Sequence, residues 1–146
     1  MTLKQWRDNS LLEDHKTSRE EIRGWLLKAD RNLADGRIGA LSSDAKFLHA
    51  YNSVLLIATA ALAVCSFRPD RRDSHHVRAF QSLEFTVRWP KERVEVLDRL
   101  QRKRNHSVYD PSGSVSEGEA QRMVAFATEL RQDMEKWLKE EHPELV

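Results

Sequence analysis

Five side chains about two-thirds of the way along the chain carry its most reactive chemistry: Arg102, Arg104, Asn105, His106 and Tyr109. An arginine grips phosphate oxygens with a planar, bidentate fork. A histidine moves protons near neutral pH. Together they are the parts needed to cleave an RNA backbone by attack of its 2′-hydroxyl. Projected on a helix at about 100° per residue, Lys91 to Tyr109 sort into two sides. Val94, Leu97, Leu100 and Val108 form an apolar stripe, and Arg104 falls in its middle. A guanidinium on a core-facing stripe is costly unless it is paired or opens on a cleft. The opposite side gathers Asp98, Arg99, Arg102, Asn105, His106 and Tyr109. Arg102 and His106 are four residues apart, as are Asn105 and Tyr109, so each pair can touch. The plain alternative is a solvated basic helix end, where cations favour the macrodipole.

Other reactive residues are sparser. His75 and His76 are adjacent, so on a helix their side chains diverge, and a helix-surface role suits them. His49 and Tyr51 sit on an apolar helix and read as satisfied core or cleft groups. No zinc-ligand spacing, glycine-rich phosphate loop or Gly-x-Ser-x-Gly elbow is present. No metal and no cofactor is expected.

These groups need elements to hold them, and the spacing of apolar residues is helical almost throughout. Strand signals are nearly absent. The first sixteen residues form an arm or short helix around Leu3, Trp6, Leu11 and Leu12. The first clear helix starts near Thr17 or Ser18, where Ser18 and Glu21 stand at capping-box spacing. Gly36 and Gly39 mark its end. The second starts after Ser42 or Ser43 and runs to about Phe67, with Pro69 stopping it. Its second half is apolar nearly all round, so it is the central helix. A charged loop, Arg68 to Asp73, follows. The third helix spans Ser74 to Val87, placing Val77, Phe80, Leu83 and Val87 on one face. The fourth starts at Pro90 or Lys91 and continues to about Val108, before an Asp-Pro-Ser-Gly turn at 110–113. Ser116 and Glu119 announce a last, long helix that His142-Pro143 ends. The expected fold is all-α, a four- to five-helix up-and-down bundle over residues 17–146.

Composition agrees. The chain has 146 residues, enough for one domain, and 32% of them are charged, so its surface is well solvated. A net charge of +1 argues against a strongly basic nucleic-acid wrapper, although a local basic patch remains open. The lone Cys65 cannot form an internal disulfide; it reads as a buried, inert thiol and suits a reducing cytoplasm. The start of the chain lacks the apolar centre of a signal peptide. Val54 to Phe67 is shorter than the ~20 residues that span a bilayer, so no membrane partner is expected.

The run Arg-Lys-Arg-Asn-His-Ser-Val-Tyr-Asp at 102–110, followed by Val-Ser-Glu-Gly-Glu-Ala at 115–120, resembles the HEPN superfamily. These are small helical domains of prokaryotic conflict and toxin–antitoxin systems. Some members share an Arg-Asn-x-x-x-Tyr-like helix end and a Val-Ser-x-x-Glu-Ala start of the next helix. The stretch from Leu41 through Ala50-Tyr51-Asn52 to Leu62 looks like the family's central helix, and His75-His76 with Gln81-Ser82-Leu83 like its third. The resemblance covers roughly residues 18–138 and implies an HEPN-like bundle. Catalytic members use an arginine, four to six residues, then a histidine, with a polar residue straight after the arginine. Aligning these on Arg104 and Asn105 puts Tyr109 at the histidine position, and tyrosine, with pKa ~10, is a poor base at neutral pH. Aligning Arg99 with His106 satisfies the spacing but puts Leu100 where the polar residue belongs.

Members often form homodimers in which two such helices face each other across a cleft. That arrangement would place Arg104 in a polar intersubunit groove. The resemblance therefore implies a cytoplasmic HEPN-like module that binds RNA or a nucleotide, or pairs with a nucleotidyltransferase partner, without necessarily being catalytic. The alternatives are an active, metal-independent endoribonuclease toxin using His106 with Arg99 or Arg102, and a plain helical protein-interaction domain.

Overall fold

The protein is described by a computed structural model that covers residues 2–72, 75–109 and 115–146, with the side chains of 104–109 outside that description. It is predominantly helical. In order come α1 (Leu3–Asp8), β1 (Leu12–Asp14), α2 (Arg19–Gly36), α3 (Ser43–Val64), β2 (Phe67–Pro69), α4 (His75–Gln81), a 3-10 turn (Ser82–Glu84), α5 (Lys91–Tyr109), α6 (Glu117–Glu141) and a final 3-10 turn (Pro143–Leu145).

The apolar run of α3 dictates the centre. Its residues from Phe47 to Val64 are buried on most sides, and α2, α6, α4 and α5 all pack against it. Alanines 58, 60, 61 and 63 let its neighbours approach closely. By length and composition α3 could cross a membrane, but 67% of its most apolar window is buried inside the fold, as in a core helix. Large residues fill the space around it: Ile22 and Leu33 from α2, Phe80 from α4, Leu97 from α5, Met123, Leu130 and Met134 from α6. Each such side chain contributes about 1.5–3 kcal/mol relative to exposure.

The serines cap as their spacing predicts. Ser116 and Glu119 form a complete reciprocal capping box at the start of α6. Ser18 caps α2 by accepting from the Glu21 amide at 3.1 Å, but the Glu21 carboxylate turns instead to Thr17 and His15. Gly36 does not end α2 through a left-handed turn. A Cβ there would stand 3.2 Å from the Lys46 carbonyl oxygen, so glycine permits the close approach of α2 to α3.

Three expectations need correction. The second helix stops at Val64, not Phe67, because Ser66 takes a left-handed conformation (φ 71°) and donates its amide to the Ala63 carbonyl. Pro69 is then free to lie in β2. The third helix is shorter than Ser74–Val87. The Ser82 hydroxyl donates to the Ala79 carbonyl at 2.6 Å and that of Thr86 to the Ser82 carbonyl, and such local bonds compete with helix continuation. Arg88, at φ 60°, turns the chain into α5. Finally, a small sheet exists: β1 pairs antiparallel with β2, Leu12 opposite Pro69 and Asp14 opposite Phe67. Three-residue strands are too short to show a period of two.

That sheet ties down the first residues. Trp6 and Leu12 cover Leu62 in a second, smaller core, and Trp6 meets Phe85 edge-on at 5.2 Å. The Arg78 guanidinium lies 5.1 Å from the Trp6 ring centre. The expected arm is thus a helix and a strand docked across α3 and α4. Hydrogen bonds to Arg72 hold the Asp70 carboxyl, at the end of this arrangement, down to about 2.

Contacts fix the helix directions. Gly36 meets the start of α3, so α2 and α3 run oppositely. Trp89 and Arg93, beside the start of α5, pack on Asp133, Glu129 and Phe126 of α6. At the other end the Val115 amide donates to Asp44 at 2.7 Å, and Ser43 and Lys46 both reach Glu117. α5 therefore runs against α3 and against α6. The four long helices alternate, with α4 lying alongside.

Candidate functional site

The stripe that packs α5 onto the bundle begins as the sequence predicts: Val94, Leu97 and Leu100 are buried. It then turns polar. Gln101 is only 6% exposed, and its side-chain amide has no hydrogen-bond partner among the described residues. The helix continues to Tyr109, so position 104 stands three residues beyond Gln101 on the same side. Arg99 and Arg102 are exposed on the opposite side, as expected. Arg102 is committed to its own helix through a 2.6 Å bond to Asp98, an exposed pair worth about 0.3–0.5 kcal/mol. Arg99 makes no ion pair among the described residues. Lys103 reaches toward Glu119 at 4.0 Å, which sets the last turns of α5 beside the first turn of α6. The side chains of Arg104, Asn105, His106, Val108 and Tyr109, and the Asp110–Gly113 turn, lie outside the described residues.

Two further groups come to the same end of the bundle. Tyr51, on the second turn of α3 beyond Lys46, is fully buried, and its hydroxyl lies 2.8 Å from His76 Nδ1. Phe47 stacks on one side of the Tyr51 ring and Phe80 meets it edge-on at 5.3 Å. His76 is half-buried at the start of α4, whereas His75 is exposed. α4 packs against α3 and α5, and its far end, Gln81, shares a cleft with Val94 and Asp98. Its first turn therefore lies toward the later part of α5, past Asp98. Tyr51, His76, Gln101 and the register position of Arg104 lie toward one end of the bundle, beside the core residues Phe47, Val115 and Ala120.

The sequence treated His75 and His76 as an equivalent surface pair. The structure separates them, because the hydroxyl of Tyr51 needs a partner inside the core and only one of two adjacent helical side chains can face it. Tyr51 is satisfied, as expected, but its partner is on another helix. His49 is also accounted for, with Nδ1 at 3.3 Å from Asn32 Oδ1 across α2 and α3. Cys65 is half-buried, and burial pushes its thiol up to about 11, which keeps it protonated and unreactive.

No set of three or more histidine, cysteine, aspartate or glutamate side chains suited to a metal occurs among the described residues. A groove of about 390 Å³ lies elsewhere, floored by Ile22, Leu26, Leu27 and Leu138 and rimmed by Asp30 and Arg131. It is mainly apolar, and on its rim Arg131 pairs with Asp30 at 2.8 Å. No family model, no curated protein and no solved structure matches this chain.

Proposed function

We propose that the chain is an HEPN-like module that binds RNA at the closing turns of α5, as a component of a toxin–antitoxin or defence system in the cytoplasm. One observation carries the reading. The packing stripe of α5 passes from leucine to buried Gln101 and then, by helical register, to Arg104, toward the end of the bundle where buried Tyr51 meets half-buried His76. Polar groups are costly in a core, and an open, anion-binding end gives them a use. The 102–110 motif supports the family resemblance, and Arg102, Lys103, Arg104 and His106 concentrate basic residues at this helix end on a chain of net charge +1.

Catalysis is the second reading. It runs through Arg99 and His106, because Arg102 is held by Asp98 while Arg99 is not so held. Tyr109 at the expected histidine position favours binding over cleavage. The discriminating experiment compares wild type, Arg104→Ala and His106→Ala for RNA binding, RNA cleavage and growth arrest. Binding without cleavage, weakened in both variants, supports the module. Cleavage lost in both variants establishes the ribonuclease. Wild-type protein that neither binds nor cleaves any RNA leaves the plain interaction domain.

A homodimer and a nucleotidyltransferase partner belong to the same proposal. Arg104 on a packing stripe is accommodated if it faces a polar groove between two copies. Arg104→Leu is then expected to weaken self-association in sedimentation experiments. Raised thermal stability with unchanged association would place Arg104 against an ordinary core instead. A small nucleotidyltransferase gene beside this one would support the partner.

A further inference from the structure

We propose that a second copy of this chain docks antiparallel on the exposed face of α2, with Leu27 of each copy seated over Gly24 of the other. This contact is separate from one through Arg104 and does not depend on RNA binding. At about 100° per residue, Glu20, Arg23, Gly24, Asp30 and Arg31 all fall within about 60° of Leu27. All six are exposed. Two of them are poor choices for a helix that faces only water. Leu27, at the lip of the α2–α6 groove, is 54% exposed, more than any other large apolar side chain among the described residues. Gly24 stands inside an 18-residue helix, where glycine is less stable than alanine. A Cβ at Gly24 would meet nothing within 4 Å, so no neighbour in the chain requires glycine there, unlike Gly36 beside α3. A bare leucine one turn from a missing side chain is a knob beside a hole, the pairing that lets two helices approach closely.

The charges identify what fills the hole. Along this face the order is Glu20, Arg23, Leu27, Asp30, Arg31: acid, base, leucine, acid, base. A two-fold axis near residues 25–26 turns that pattern onto itself. Glu20 then faces Arg31 of the other copy, Arg23 faces its Asp30, and Leu27 faces its Gly24. A partner surface of one sign would set like charges against half of these groups. Glu20, Arg23 and Arg31 have no ion-pair partner among the described residues. Asp30 bonds Arg131 and keeps carboxylate lone pairs for a second cation.

The test is sedimentation velocity of the full chain over a range of concentrations, in wild type and in an Arg104→Ala background that separates the two interfaces. Both proteins should self-associate, and Leu27→Lys should weaken the association about tenfold or more in either background. Gly24→Gln should weaken it as much while raising the thermal midpoint, measured on dilute monomer, by about 2–4 °C. Those opposite signs separate a docking glycine from one that serves the fold. Glu20→Arg and Arg31→Glu should each weaken association, and the double variant should restore it. The two residues stand three turns apart on one helix, so only a second copy brings them together. Circular dichroism checks that each variant folds. If Arg104→Ala is monomeric while wild type associates, or if Leu27→Lys associates as wild type does, the proposal is overturned and the Arg104 contact stands alone. Wild-type protein that stays monomeric at every concentration overturns it too and leaves this face to a different partner. Failure of the double charge swap to restore association overturns the antiparallel register.

Discussion

Arg104→Ala is expected to reduce affinity for single-stranded RNA by about 10- to 100-fold, equivalent to about 1.4–2.8 kcal/mol. The size follows from position. Arg104 lies one turn beyond Gln101, whose burial shows that this side of α5 faces the bundle rather than open water. A guanidinium there forms charge-assisted, bidentate bonds to phosphate in a setting that screens them less than the open surface does. Arg102, exposed and occupied by Asp98, should matter much less. The signature is salt dependence: removing one phosphate contact lowers the slope of log affinity against log salt by about 0.7 for a single strand. Fluorescence anisotropy at several salt concentrations reads both quantities, with circular dichroism checking the fold. An affinity drop with an unchanged slope would mean that Arg104 acts by holding the helix, not by meeting phosphate.

The second large effect is on stability. Phe80→Ala should cost about 3–5 kcal/mol, the usual range for deleting a buried aromatic ring. Phe80 is 1% exposed, belongs to the main core and meets Tyr51 edge-on. The short α4 cannot collapse into the space, since its first turn is tied to Tyr51 and its end to the 3-10 turn at Ser82. Against a typical 5–15 kcal/mol for a domain, this removes a large share. Urea unfolding should show a lower midpoint with an unchanged slope. A loss under about 1 kcal/mol would show that α4 is loosely attached and that the Tyr51–His76 geometry is not enforced by the core.

The long helices were legible because their signals are local and redundant. α3 announced itself by its all-round apolar second half, α6 by Ser116 and Glu119, and α5 by Pro90 and the Val94–Leu97–Leu100 stripe. What escaped depended on partners distant in sequence. The strand pairing of Leu12 with Pro69 joins segments that carry no alternation of their own. The early end of α4 came from two hydroxyls, Ser82 and Thr86, that look compatible with a helix until their carbonyl partners are seen. For the site, the exposed placing of Arg99 and Arg102 followed directly from helical projection. His76 did not, because a pair of adjacent histidines gives no sign of which one will face a buried tyrosine. Gln101 stands four residues beyond Leu97 on the same stripe, and only its burial shows that the stripe changes character there.

The account stands on RNA meeting one end of the bundle. Backbone amide mapping of the 15N-labelled protein, titrated with single-stranded RNA, tests this most directly. The predicted result is a single cluster of shifted amides at residues 99–109 and 115–119. Shifts confined to the α2–α6 groove around Leu27 and Arg131, or no shifts at all, would contradict it.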